Sequence, residues 1–335
     1  MQRRHNILFI VLAALVIALF VCDLAVGTVS LSLGDVLSAL CGGDTDEMSR
    51  RIIIDIRLTK AIMALAAGIA LSISGLQMQT LFRNPMAGPY VLGVSAGASF
   101  GVALFLLGAP LIGLSATGAL GTLGTAGAAW IGAAAVLMLI IALSRRIKDI
   151  MVILILGMML SSALGAIVEI LQYLSDEQSL KSFVVWTMGS LGDVTRAQLT
   201  IILPLITVGI ALSIATVKPL NTLLLGETYA RTSGINLPRT RRAILLSTTL
   251  LAGTITAFCG PVGFVGLAVP HVARMLFRTA DHRTLLPASA LIGGVMLLFG
   301  DLLSKALLLP INTITALMGI PIVVYIVLRN RNLMQ

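Results

Sequence analysis

The stretch from Arg57 to Phe82 reads RLTKAIMALAAGIALSISGLQMQTLF, with charges only at its first four positions and mostly apolar and small residues after them. As an α-helix, with a rise of about 1.5 Å per residue, it would extend beyond the roughly 30 Å of hydrocarbon in a lipid bilayer. The apolar run also lacks the regular alternation of a membrane β-strand. The stretch therefore predicts a transmembrane helix.

Comparable apolar runs recur along the chain and predict about ten transmembrane helices. Their predicted bounds are Asn6–Val26, Arg57–Phe82, Tyr90–Gly108, Gly118–Leu143, Asp149–Tyr173, Thr195–Thr216, Arg239–Cys259, Val262–Phe277, Leu285–Leu308 and Thr313–Leu328. Of the 335 residues, 58% are hydrophobic and only 11% are charged. Because such a chain cannot hide its apolar side chains in a water-soluble core, we expect an all-α polytopic membrane protein, with residues 1–335 forming one transmembrane domain.

Part of the pattern in Arg57–Phe82 recurs in the second half of the chain. The matched pairs, each offset by 185 residues, are Arg57 and Arg242, Ala67 and Ala252, Gly68 and Gly253, Gly75 and Gly260, and Pro85 and Pro270. Five predicted spans separate the two copies, so spans 2–5 (about residues 57–173) and spans 7–10 (about 239–330) would cross the membrane in opposite directions. Inverted repeats are typical of transporters. The alternative is that Gly and Ala recur because close helix packing in lipid favours small residues.

A long polar interruption lies between these halves, within PLNTLLLGETYARTSGINLPRTRR at residues 219–242. We call residues 219–238 the connector. The pattern predicts two short helical pieces, Thr222–Thr232 and a brief one near Asn236, broken by Gly234, which tolerates a positive φ. Such a polar helix–glycine–turn is a surface that a partner protein can bind, and the alternative is a plain loop.

The distribution of charge predicts the orientation of the chain. If the N-terminus is cytoplasmic, sixteen of the 23 Lys and Arg residues fall on the cytoplasmic side, together with the connector and the C-terminus. This bias agrees with the positive-inside rule, which predicts that both termini are cytoplasmic. The net charge of +9 therefore reflects orientation and attraction to anionic lipid. It does not indicate nucleic-acid binding, because no basic face interleaved with aromatic residues accompanies it.

Catalytic patterns are missing from the sequence. The three Cys and three His residues show no metal-ligand spacing, and the chain has neither a Gly-x-Ser-x-Gly motif nor a phosphate-binding loop. We therefore expect a protein that is not an enzyme, without a cofactor or metal site, and without an ATPase of its own.

Several motifs resemble those of the FecCD-type permeases, the membrane subunits of ABC importers for iron–siderophore complexes, haem and cobalamin. The first is RLTK at 57–60 with QMQTLFRNPMAGP at 77–89 and LGVSAGA at 92–98; the later ones are WTMGSL at 186–191, LGETYARTSGIN at 225–236 and GPVGFVGLAVPHVARML at 260–276. The resemblance covers nearly the whole chain after about Ser30. Family-motif residues with an expected structural role are Gly68, Gly75, Asn84, Pro85, Gly93, Gly97, Gly260, Pro261, Gly263, Pro270 and His271.

The resemblance implies a homodimer of ten-helix subunits in the cytoplasmic (inner) membrane. Two ABC ATPase subunits would bind its cytoplasmic face, and a periplasmic or lipid-anchored binding protein would deliver a metal chelate to its outer face. The connector would be the ATPase-coupling segment, with Gly226, Glu227, Arg231 and Gly234 at the contact; Thr228 stands where the family usually has a second acidic residue. An ion-coupled secondary transporter is the alternative, because such transporters also use inverted repeats.

On the outer face, the resemblance assigns docking of the binding protein to Arg57, Lys60 and Lys305, where opposite charges would steer the partner. Snorkelling of long side chains at the membrane interface is one alternative, and pairing of Lys305 with Asp301 one helical turn earlier is another. Glu169 is expected near the outer end of the fifth span, as an interfacial residue. The sequence does not reveal which chelate is carried.

Overall fold

The computed structural model describes residues 2–27, 34, 36, 38–39, 42–43, 46–111, 119–147 and 149–331, and these contain helices and no strand. In chain order, the helices that matter below are α1 (Gln2–Ala25), α2 (Glu47–Leu81), α3 (Val94–Leu111), α4 (Ala119–Arg146), α5 (Ile150–Leu174), α6 (Glu177–Thr187), α7 (Arg196–Ala215), α8 (Val217–Leu224), α9 (Glu227–Thr232), α10 (Leu237–Cys259), α11 (Val265–Phe277), α12 (His282–Leu307) and α13 (Ile311–Arg331). The predicted all-α class is confirmed.

The number of spans agrees with the prediction, while several bounds differ. Within the described residues, eight helices are long and apolar enough to cross a bilayer, and α11 and α13 contribute two shorter apolar segments. Helix α2 begins at Glu47, because Asp46 caps a polar first turn that precedes the apolar run. Helix α3 begins only at Val94, after Gly93 with φ +80°. Helix α6 was not predicted, because it is short and carries charged residues.

Helix α2 lies at the centre of the bundle, and nearly every residue from Thr59 to Leu81 is buried. Its glycines permit very close contacts with two neighbours. A Cβ atom on Gly68 would overlap the carbonyl oxygen of Gly293 in α12, and one on Gly75 would overlap that of Gly266 in α11. Small residues at such contacts let helix backbones approach each other in lipid. The stretch that predicts the fold class thus also forms its core.

Two of the five pairs matched by the 185-residue shift occupy different local structures. Gly75 lies inside α2, whereas Gly260 follows the end of α10 with φ +73°. Pro85 lies in the break after α2, whereas Pro270 lies inside α11. At these two pairs the shift therefore does not relate equivalent positions, and the inverted repeat of spans 2–5 and 7–10 stays a prediction.

Two breaks in the helices meet inside the bundle. One, at residues 82–93, leads from α2 to α3, and the other, at 260–264, leads from α10 to α11. The hydroxyl of Tyr90 donates to the carbonyl oxygen of Val262 at 3.1 Å, and Pro89 packs against Gly266. Irregular backbone within a membrane protein must have its polar groups satisfied by protein, and these contacts contribute to that.

Candidate functional site

The connector folds as two helices that meet at Gly226. Helix α8 ends at Leu224 and α9 begins at Glu227, while Gly226 between them has φ +117°, a conformation that favours glycine. The predicted single helix Thr222–Thr232 is therefore wrong. Gly234, with φ +81°, follows α9 as predicted. The brief helix expected near Asn236 is also wrong, because Asn236 instead caps the N-terminus of the long helix α10.

The two charged residues predicted for the connector have different environments. The carboxylate of Glu227 forms an ion pair with the guanidinium of Arg241 in α10, at 2.5 Å. Arg231, at the end of α9, is exposed, and no carboxylate pairs with it among the described residues. Glu227 therefore holds α9 against α10, and Arg231 is the charged side chain that the connector presents outward.

Large apolar side chains are also exposed on the connector. Leu225 is 67% exposed and Tyr229 is 53% exposed, and Leu224 lies beside them with much of its surface open. Exposed apolar residues next to polar ones are typical of surfaces that bind another protein. We did not single out these residues from the sequence, although the run LLLG before the polar residues was a visible signal.

Side-chain hydrogen bonds fix the connector to the bundle. Asn221 of α8 accepts a hydrogen bond from the backbone N–H of His282 at 2.8 Å, and its amide donates to Asp281 at 2.5 Å. The pKa of Asp281 lies below its usual value, mainly because its carboxylate accepts a hydrogen bond from the backbone N–H of Arg283. The hydrogen bond from the Asn221 amide lowers this pKa further, by a smaller amount. Arg83 donates to the carbonyl oxygen of Leu223. The connector is therefore attached to the end of α2 and to the start of α12.

A cavity of about 850 Å³ opens at the same end of the bundle. It is lined in part by Arg83, Arg274 and Arg278, together with His271, whose Nε2 donates to the carbonyl oxygen of Pro85 at 2.7 Å. Basic residues thus surround the base of the connector, on the side of the membrane where the sequence predicts an excess of Lys and Arg.

The opposite end of the bundle carries a compact cluster of two lysines and two aspartates. Lys305 lies 2.8 Å from Asp23 and 3.1 Å from Asp301, and Lys60 lies 3.0 Å from the other oxygen of Asp301. We call Asp23, Lys60, Asp301 and Lys305 the charge cluster. Both carboxylates are buried. The pairing of Lys305 with Asp301, which the sequence offered as an alternative to docking, is present.

Arg57 lies next to the charge cluster, and its side chain is only 4% exposed. Its Nη1 donates to the carbonyl oxygens of Leu24 and Ala25, at 2.9 and 2.8 Å. Carbonyl groups in the last turn of a helix have no partner within the helix, so Arg57 satisfies the C-terminal end of α1. The predicted docking role of Arg57 requires an accessible guanidinium. The structure contradicts this, because the side chain is buried and donates to the end of α1.

Comparison with known proteins identifies the chain. The model of the FecCD transport family matches residues 15–329. The chain belongs to the FecCD transport family. It is 34% identical to the hemin transport system permease protein HmuU of Yersinia pestis, over 98% of this chain and 97% of that protein. It is also 34% identical to the vitamin B12 import system permease protein BtuC of Citrobacter koseri, over 88% of this chain and 91% of that protein.

A solved structure has the same fold as this FecCD chain. It is described as an inward-facing conformation of a metal-chelate type ABC transporter, and it matches with a TM-score of 0.84 and 30% identity over 97% of this chain and 99% of that one. The chain is thus a permease subunit of the ABC transporter type. The ion-coupled secondary transporter that the sequence left open is not retained.

The FecCD motif residues lie at contacts between helices and at the breaks. Gly97 packs against Gly132, Gly260 against the backbone of Trp186, and the N–H of Gly263 donates to Asn312 at 2.9 Å. Asn84 accepts a hydrogen bond from the N–H of Met86 and so stabilises the turn after α2. Pro261 belongs to the second break, and Pro270 is buried in α11. These positions are consistent with the structural role that the motifs imply.

Two further expectations concern acidic and metal-binding residues. Glu169 is exposed on α5, near the end that lies opposite the connector. Across the described ranges, no three His, Cys, Asp or Glu residues are grouped so that they could hold a metal ion.

Proposed function

We propose that this chain is the permease subunit of a binding-protein-dependent ABC importer that moves a metal chelate into the cytoplasm. The connector carries this proposal. It is a folded segment that exposes Leu225, Tyr229 and Arg231, on a chain whose sequence has no phosphate-binding loop. A transporter without a nucleotide site must receive the energy of ATP hydrolysis through a contact surface. Two ATPase subunits therefore bind the connectors of two permease copies, at the segment from Gly226 to Gly234.

The second permease copy covers a face of α5. This helix buries only Ile153, Leu154, Gly157 and Val168 within its own subunit, and it exposes large apolar residues such as Met159 and Tyr173. Closed twofold dimers are the commonest symmetric assemblies. We therefore place α5 beside the dimer axis, with the chelate pathway between the two copies.

The connector end of the bundle faces the cytoplasm. Arg83, Arg274 and Arg278 surround the cavity there, and Arg4 near the start of α1 donates to the carbonyl oxygen of Leu276. Excess Lys and Arg on one side marks the cytoplasmic side of a membrane protein. Both termini then lie in the cytoplasm, and the charge cluster lies at the outer face of the inner membrane, where Lys60 and Lys305 receive the binding protein beside Arg57.

A metal chelate is the substrate class that the relatives support, since their names refer to hemin, vitamin B12 and metal chelates. The test is to purify the binding protein that associates with this permease and to identify its bound molecule by mass spectrometry. We expect a haem, a corrinoid or a ferric siderophore. A bound molecule without a metal centre would contradict the proposed substrate class.

A further inference from the structure

The charge cluster has no net charge to offer a docking partner. It contains two ammonium groups and two carboxylates, and each ammonium group lies within 3.1 Å of at least one carboxylate oxygen. Electrostatic steering of a protein partner needs a complementary surface potential. A neutral cluster of this kind attracts an acidic partner only weakly. Its two lysines are nevertheless the residues to which we assign docking of the binding protein.

Asp301 holds both lysines at once. One carboxylate oxygen lies 3.0 Å from Lys60, and the other lies 3.1 Å from Lys305. Both contacts are ion pairs, and neither Asp301 oxygen has a hydrogen-bond partner among the described residues. Lys305 also donates to Asp23, through both its carboxylate and its backbone carbonyl. Lys305 is thus bound on two sides, whereas Lys60 is held in this cluster by Asp301.

Exposure of the side chains shows where an external carboxylate can enter. The side chain of Lys60 is 21% exposed, compared with 11% for Lys305, and the two aspartate side chains are essentially buried. An acidic side chain from outside can therefore reach the ammonium group of Lys60 but cannot approach it without competing with Asp301.

We propose that Asp301 competes with the binding protein for the docking lysines, so that docking proceeds by an exchange of ion-pair partners that begins at Lys60. This inference rests on the proposed function, because it takes the binding protein as the external partner. Asp301 is then a residue that sets the affinity of docking without contacting the binding protein. Lys305 stays joined to Asp23 and keeps the ends of α1 and α12 together during the exchange.

The Asp301→Asn variant of the purified permease–ATPase complex tests this proposal. Lys305 retains Asp23 in this variant, and Asn has nearly the size and shape of Asp, so we expect the fold to be preserved. We expect the Kd of the binding protein to fall by about fivefold or more at low ionic strength, since a competing charge is removed. The matched control is Asp55→Asn, which removes an exposed carboxylate at the same end that pairs loosely with Arg196, at 3.8 Å. It should change the Kd less than twofold.

A second pair of variants keeps the proposal testable if Asp301→Asn does not yield folded complex. Lys60→Met should raise the Kd by about tenfold, whereas Lys181→Met, which removes an exposed lysine from α6 at the same end, should change it less than twofold. Equal Kd values for Asp301→Asn and Asp55→Asn, or for the two lysine variants, would overturn the exchange. If the wild-type complex binds no binding protein at all, the proposed function itself fails.

Discussion

The carboxylate of Glu227 and the guanidinium of Arg241 form an ion pair at 2.5 Å, which joins the short helix α9 of the connector to the first turns of α10. Helix α9 spans only six residues, and helices of that length have little stability of their own in water. The ion pair therefore helps to position the surface that the ATPase is expected to bind. Glu227 would support this contact by holding α9 in place.

Breaking this pair should loosen α9. In the Glu227→Gln variant, we expect faster hydrogen–deuterium exchange of the backbone amides in residues 227–232, because a partly exposed ion pair contributes about 1 kcal/mol or less, and we expect slower chelate uptake. The control is Arg231→Gln, which should leave exchange unchanged and weaken only the association with the ATPase. If Glu227→Gln exchanges at the wild-type rate, the pair does not position α9.

The turn at Gly226 should not accept a side chain. Its φ of +117° lies in a region that costs a residue with a Cβ about 1–3 kcal/mol. We expect Gly226→Ala to lower ATP-driven uptake while the protein still inserts and folds. Gly88→Ala is the control, since a Cβ there meets no atom within 4 Å and the residue has no positive φ. Equal uptake by the two variants would mean that the connector tolerates a different turn.

The contact between α2 and α12 should limit the stability of the bundle. Because a Cβ on Gly68 would overlap the backbone of Gly293, Gly68→Ala must push two central helices apart, and overpacking of this kind costs about 1–3 kcal/mol. We expect a lower thermal midpoint in detergent and a lower yield in the membrane. Gly127→Ala in α4, where a Cβ would meet open space, should retain both values. An unchanged midpoint for Gly68→Ala would contradict the packing described for α2.

The exposed apolar residues of the connector should contribute to binding of the ATPase. Burying a large apolar side chain at an interface contributes about 1.5–3 kcal/mol, so Leu225→Ser should weaken association with the ATPase by about tenfold or more. Leu308→Ser, which changes a residue that is also highly exposed but lies at the opposite end, is the control. The measurement is the amount of ATPase that co-purifies with the permease. Equal recovery from both variants would place the ATPase contact elsewhere.

The transmembrane spans could be predicted from the sequence because lipid imposes a simple requirement. Every backbone polar group in the hydrocarbon region needs a partner within the protein, so a long apolar run such as Arg57–Phe82 can only be helical. The same reasoning does not define where a helix ends in water. It therefore missed the polar first turn at Glu47, and it missed α6.

The contacts of the charged residues could not be predicted in the same way. Asp23 and Lys305 are separated by 282 positions in the chain, and their pairing depends on the packing of α1 against α12. Lys305 and Asp301 are one turn apart on a single helix, and that pair could be foreseen. Glu227 resembled a surface residue because its partner, Arg241, belongs to the next helix. Sequence motifs thus predict a functional surface at each end of the molecule, but they did not show which side chains face outward.

Transport in reconstituted vesicles tests the proposed energy coupling most directly. The measurement is uptake of the chelate into proteoliposomes that contain the permease, its ATPase and the external binding protein. We predict that uptake requires ATP on the connector side, stops with vanadate or when the ATPase is omitted, and persists in the presence of a protonophore. Uptake that continues without the ATPase and collapses with the protonophore would contradict an ATP-driven importer.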